Sequence, residues 1–336
     1  AKTHYILKDS AGAEVACQLV FDANKIPQSL IFQADVKAND KTVYTLAKGE
    51  PTPVTPKTAA FFVPERKDDF AWENDLAAYR MYGPALANEN PSNGVDLWLK
   101  CVEYPIMRKF YDDEHHNGKS YHHDWGEGLD CYKVAHTLGA GGVALYLNDT
   151  LWVGNHYDRY EILETGALRS AFTLTYDSVK VGDSYYKEEI TITTAAGSPL
   201  NKAVVKFTGK QQPLQIAAGI FMHGTFIDAA QKFRATMASD NDLHYLVYAE
   251  DATSEETPTI PAGRNYVGVV LPNSHNGSQG KGEHFLILAD YQQDTEITYY
   301  FGGGWSKWKF PTDDDWKNAV VKFAENLKEP LKVIVK

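Results

Sequence analysis

Long apolar runs are missing from this 336-residue chain, and so is an excess of basic residues. No stretch approaches the 18 or more apolar residues of a membrane-spanning helix. A formal net charge of −11 and a pI near 5.5 argue against nucleic acid as the main partner, because phosphate neutralisation needs an extended basic surface. Cysteine is scarce as well. Cys17, Cys101 and Cys131 lie far apart and form no CxxC pair, so neither a disulfide scaffold nor a thiolate zinc module is encoded. The first residues, AKTHYILKDS, are no signal peptide, and the expectation is that a leader has been removed ahead of them. The GAGG run at 139–142 lacks the GxGxxG spacing of a dinucleotide site.

What is abundant is aromatic: 20 tyrosines and 7 tryptophans. Each pairs a flat apolar body with a polar handle, which suits both strands and sugar faces. Short runs of period two recur from Thr3 to Leu46 and again from Ala144 onward, separated by Asn, Gly and Asp turns. About twenty such runs predict an all-β protein, a large antiparallel β-sandwich with few short helices. The extended KGEPTPVTPK segment is a connector between sheets, and no linker divides the chain. A single domain over 1–336 is therefore expected, with an inserted loop and helix region at about 64–142. Within that region the pattern of Asp69 to Tyr82 reads as a helix, Tyr111 to Lys119 as a polar loop with exposed His115 and His116, and Thr137 to Val143 as a tight bend. A second helix is predicted over Asp313–Glu329, capped by Asp313 or Asp314, with LKVIVK returning to a strand.

Chemistry concentrates in Tyr121–His136, YHHDWGEGLDCYKVAH, which holds three histidines and three carboxylates beside a tryptophan. Gly126 and Gly128 favour a loop that positions side chains. His122, His123, Asp124, Glu127, Asp130 and His136 are donors enough for a divalent metal, zinc or calcium, although no HExxH or EF-hand spacing is present and no cofactor is required by any motif.

Two blocks, PERKDDFAWENDLAAYRMYGPAL and SYHHDWGEGLDCYKVAHTLGAGG, resemble a secreted bacterial family. Its genes accompany uronic-acid polysaccharide breakdown, and it is similar to the oligosaccharide dehydratases of ulvan use. The strand ordering resembles the galactose-mutarotase-like supersandwich, which carries ligands on its concave face. The resemblance implies a periplasmic or secreted carbon–oxygen lyase acting by β-elimination, including dehydration, at the non-reducing uronic acid of an anionic oligosaccharide. It carries over no catalytic residues, so these are read from chemistry.

Elimination beside a uronate needs its carboxylate neutralised, a base for the C5 proton and an acid for the group leaving C4. Arg66 and Arg80 are the candidates for a bidentate grip, with Asn74 and His122 beside them. His123, next to Asp124 and Trp125, is the favoured base or acid, with His223 next; Tyr82 or Tyr121 supplies a phenol. Trp125 would stack on a sugar ring. Competing readings are a polysaccharide lyase that cleaves the chain, an aldose epimerase built on His223 and a glutamate, and a non-catalytic carbohydrate-binding protein.

Overall fold

The alternating runs pair into antiparallel sheets, as their period of two requires. The computed structural model describes residues 4–22, 24–89, 93–223, 235–254, 256–272, 274 and 278–336. Its largest sheet has eight strands, among them the long hairpin Arg169–Val181 and Ser184–Ala195, followed by Asn201–Gly209, Ile297–Trp305 and Arg264–Val270. A five-stranded facing sheet is centred on Ala140–Leu147, Leu214–Phe221 and His284–Tyr291. One hydrophobic core joins the two, with Phe172, Ile190, Val205 and Phe301 against Leu145, Ile216, Ile220 and Ile287. This is the all-β sandwich that the patterning predicts. No helix among the described residues is long and apolar enough to cross a membrane.

A third sheet carries the chemistry, in the order Gly128–Asp130, Asp96–Lys100, Ala77–Met81, Asp69–Glu73, Ala59–Val63. Here the structure corrects the expectation of an inserted loop and helix region. Asp69–Tyr82 is a hairpin, not a helix. Asn74 accepts backbone hydrogen bonds from Leu76 (2.9 Å) and Ala77 (3.1 Å), an Asx turn that reverses the chain where a helix would have continued. Phe70, Trp72, Tyr79, Leu97, Leu99 and Leu129 enter the main core from one face of this sheet. The opposite face carries Asp69, Glu73, Arg80, Asp96, Lys100 and Asp130, all buried. A helix, α1 (Met107–Asn117), covers that face with Met107, Phe110 and Tyr111. His115 and His116 are exposed as expected, but they lie in the last turn of α1 and not in a loop.

The GAGG run is a β-bulge and not a free bend: pairing with Leu214–Phe221 slips between Ala140 and Val143. The second helix, α2 (Asp313–Lys328), is capped by Thr312 in a capping box with Asp315, not by Asp313 or Asp314. Asp313 is drawn off to Arg264, whose Nε donates to its Oδ1 at 2.9 Å. Residues 331–336 form no strand and pair with none of the described residues; Val333, Ile334 and Val335 are exposed.

Candidate functional site

Strand alternation places an arginine where it cannot reach water. Arg80 is 2% exposed, and its guanidinium is shared among three aspartates from three neighbouring strands. Nε donates to Asp96 Oδ2 at 2.8 Å, Nη2 to Asp130 Oδ2 at 2.7 Å, and Nη1 to Asp69 Oδ2 at 3.4 Å. The rings of Tyr82 and Trp98 lie 5.0 Å from its carbon and that of Tyr121 lies 5.5 Å away. Buried charge of this kind persists only when paired and hydrogen-bonded. Three carboxylates around one cation leave surplus negative charge. Burial accordingly pushes Asp69 up to about 6, against the pull of Arg80 and Arg66, and it also raises Asp130, with Asp96 adding to the effect. Asp69 Oδ1 and Asp96 Oδ1 have no hydrogen-bond partner among the described residues. The cluster therefore holds protons close to neutral pH.

Tyr121 connects this buried cage to the surface. Its phenol oxygen accepts from Arg66 Nε at 3.2 Å and Arg80 Nη1 at 3.5 Å, so the phenol hydrogen is left to donate elsewhere. Arg66 ends a short 3-10 turn (Pro64–Arg66) and is half-buried. The next two residues, Lys67 and Asp68, take left-handed backbone angles (φ 50° and 63°) that swing the chain back into the sheet. His122 follows Tyr121, with ring centres 4.6 Å apart. Its Nδ1 lies 3.0 Å from the Asp130 carbonyl oxygen and 3.6 Å from Asp130 Oδ2. A carbonyl only accepts, so in the neutral ring Nδ1 carries the hydrogen and Nε2 is the basic nitrogen. The side chain is 44% exposed. Gly128 lets this segment lie against the sheet: at φ 155°, a Cβ there would meet Leu99 O at 2.2 Å.

The remaining candidates separate from this group in different ways. His123 packs its ring on Trp125 (centres 4.4 Å apart), and Trp125 is 53% exposed with its indole N–H donated to Ser120 O. Tyr82 is buried, and its hydroxyl lies 3.4 Å from Asp96 Oδ2 as part of the cage. Asn74 is not brought to the group. Its Nδ2 donates to Ala195 O and Ser198 O, and its oxygen makes the hairpin turn, so its amide is spent on structure. Arg80 is likewise committed to the aspartates, whereas Arg66 is only half-buried and donates its Nε to Tyr121.

His223 forms a second centre. Nδ1 lies 2.7 Å from Glu250 Oε1 and Nε2 lies 2.7 Å from Lys133 O. Both partners are acceptors, which fits a doubly protonated ring. Burial works against that charge, but the Glu250 carboxylate outweighs it and raises the pKa. Asp130 and Lys133 sit three residues apart on one segment, tying the two centres together.

The candidate metal donors diverge. Asp124 takes Lys307 (2.9 Å) and the amide of Gly126, and Glu127 takes Lys109 and Tyr104. No group of three His, Cys, Asp or Glu side chains placed to hold a metal occurs among the described residues. Sequence reasoning missed Asp69, Asp96 and Asp130 as a unit, and Glu250 as the partner of His223. The signal for the first was the charge alternation in DFAWE and DLWLK, which the helical reading of Asp69–Tyr82 concealed.

Over 320 residues the chain is 27% identical to Uncharacterized protein P7 of Formosa agariphila, an alignment that covers 91% of this chain and 78% of that protein. Among solved structures it superposes on a putative kojibiose phosphorylase from the human microbiome with a TM-score of 0.42 and 8% identity, covering 82% of this chain and 37% of the other. Against heparinase III the TM-score is 0.32 with 10% identity, covering 79% and 39%. The chain thus spans less than half the length of either structure. A family match extends over residues 1–333, and the chain belongs to the family described as Domain of unknown function (DUF4861).

Proposed function

We propose that the protein is a carbon–oxygen lyase that carries out β-elimination at the non-reducing-end uronic acid of an oligosaccharide, with dehydration as the principal outcome. One observation carries the reading: a half-buried arginine, a buried phenol and a part-exposed imidazole lie side by side, where Arg66 Nε donates to Tyr121 Oη at 3.2 Å and the His122 ring lies 4.6 Å from the Tyr121 ring.

Arg66 pairs with the uronate carboxylate and stabilises the charge that develops as C5 loses its proton. His122 Nε2 takes that proton, and the Asp130 carbonyl fixes the tautomer. Tyr121 gives its phenol hydrogen to the oxygen on C4. The C5–H and C4–O bonds break, the C4–C5 double bond forms, and water leaves. The imidazolium proton and the phenolate balance, so His122 and Tyr121 reset by proton exchange through solvent at the rim. The exposed face of Trp125 provides a platform for the sugar ring. His122 replaces His123 as the preferred base, because His122 has an oriented ring with an aspartate behind it, whereas His123 is packed on Trp125.

An aldose epimerase centred on His223 is disfavoured. Both of its nitrogens are occupied, and Glu250 is bonded to it directly instead of facing it across a sugar pocket. The test is incubation with uronate-terminated pectic, ulvan and glycosaminoglycan oligosaccharides, following the ultraviolet absorbance of the new double bond and the product masses. Loss of water identifies a dehydratase and chain scission a lyase. If neither product forms on any of the three substrates, the elimination reading fails.

A further inference from the structure

One cavity lies remote from this chemistry. It holds about 900 Å³ and opens where Ala140–Leu147 ends, Leu214–Phe221 begins and His284–Tyr291 ends. Phe221 leads directly to His223, so the length of that strand, at about 3.3 Å per residue, sets cavity and His223 roughly 25 Å apart. The volume falls within the range of small-molecule sites, roughly 300–1,000 Å³.

The lining is unusual in composition. Gln211, Gln212, Gln215, Gln292 and Gln293 converge there with Asp290 and Asp149; no lysine, arginine or histidine is a lining residue, although Asp149 is paired with Lys281. A carboxamide offers a donor and an acceptor in one plane, the pattern that matches neighbouring sugar hydroxyls. These amides are also held in place by their neighbours. Gln292 Nε2 donates to Gln211 Oε1 (2.9 Å), Gln293 Nε2 to Gln212 O (2.7 Å), Gln215 Nε2 to Asp290 Oδ1 (3.2 Å) and Gln212 Nε2 to Tyr186 Oη (2.8 Å). Side chains already fixed lose little entropy when a ligand arrives. Gln293 is only 3% exposed. Leu147, Pro213 and Leu214 add an apolar strip against which the C–H face of a sugar ring can lie.

We infer that this cavity is a second saccharide-binding site, specific for an uncharged glycan segment. Asp290, with no cation beside it among the lining residues, repels a uronate, whereas hydroxyls satisfy the amides. The site is separate from the elimination centre, so it would hold a neutral portion of a glycan while chemistry proceeds elsewhere.

The test titrates the whole chain with three neutral hexamers (cello-, xylo- and mannohexaose) by calorimetry, with oligogalacturonate alongside. At least one neutral hexamer binds the native protein. The double variant Gln212→Ala/Gln292→Ala weakens that binding about tenfold, the loss of one or two hydrogen bonds. The same variant melts close to the native protein, since Gln292 is exposed and Tyr186, which loses the Gln212 amide, keeps its own donation to Lys210 O, and it retains its turnover of uronate oligosaccharides. Absence of binding by all three hexamers up to about 10 mM, or unchanged affinity in the double variant, overturns the assignment. Neutral binding is measured apart from turnover, so failure of either reading leaves the other standing.

Discussion

Lys100 and Glu73 meet at 2.8 Å on the charged face of the site sheet, and neither side chain is exposed to water. The ammonium spends its other two hydrogens on the carbonyls of Asn74 (2.9 Å) and Tyr104 (2.8 Å). Both Glu73 oxygens accept amides at the start of α1, from Ile106 and Met107. This carboxylate thus satisfies orphan donors of a helix end, where negative charge is favoured. One ion pair fixes α1 over the cage and orders the wall behind Tyr121.

Breaking that pair from one side should be severe. Lys100→Met leaves Glu73 buried and uncompensated, and is expected to cost about 3–5 kcal/mol in denaturant unfolding. Amide exchange should accelerate first at Ile106 and Met107. A loss below about 1 kcal/mol would show that the pair does not anchor the helix.

Glu188 should make the protein less stable as pH rises. It is fully buried on the strand Ser184–Ala195, and burial pushes its carboxyl up to about 8 from 4.5. The folded state holds a proton that the unfolded state releases above about 4.5. Stability from this group is therefore complete below that pH, declines through the window from about 4.5 to about 8, and is level beyond it. Glu188→Gln should flatten the decline and raise stability by roughly 3 kcal/mol at neutral pH. Parallel stability–pH curves for variant and native protein would contradict the assignment.

The two adjacent histidines should differ sharply in turnover. His122→Ala is expected to lower kcat/KM by about 10²–10⁴-fold, the usual worth of a positioned base. His123→Ala should act mainly on KM through Trp125. Tyr121→Phe should reduce kcat, and Arg66→Lys should raise KM because an ammonium lacks the planar fork. The reverse order for the histidines would restore His123 as the base.

Nuclear magnetic resonance titration of His223 should show a pKa above the ordinary histidine value, lowered by Glu250→Gln. With the folded pKa raised, this pair stabilises fully below about 6.5, and its contribution is lost as pH climbs through the folded value. A His223 that titrates identically in the variant would show that Glu250 is not the cause.

The sequence alone determined the architecture, because strand alternation and turn chemistry are local. Asn148 and Asp149, both at positive φ, close the ALYLNDTLW hairpin as the turn residues predict. Sequence also singled out the Tyr121–His136 stretch and Arg66, since a density of titratable groups beside an aromatic is visible without coordinates. Only the tertiary structure decided which arginine is buried and which histidine has a partner. Arg80 and Arg66 are chemically alike, but strand register buries the first among Asp69, Asp96 and Asp130 and leaves the second at the rim. His122 and His123 differ by one position, and what separates them is Asp130, eight residues beyond His122, brought back by the strand that pairs with Asp96–Lys100. Such contacts join residues far apart in the chain, and burial then shifts their protonation, so neither can be read from composition or spacing.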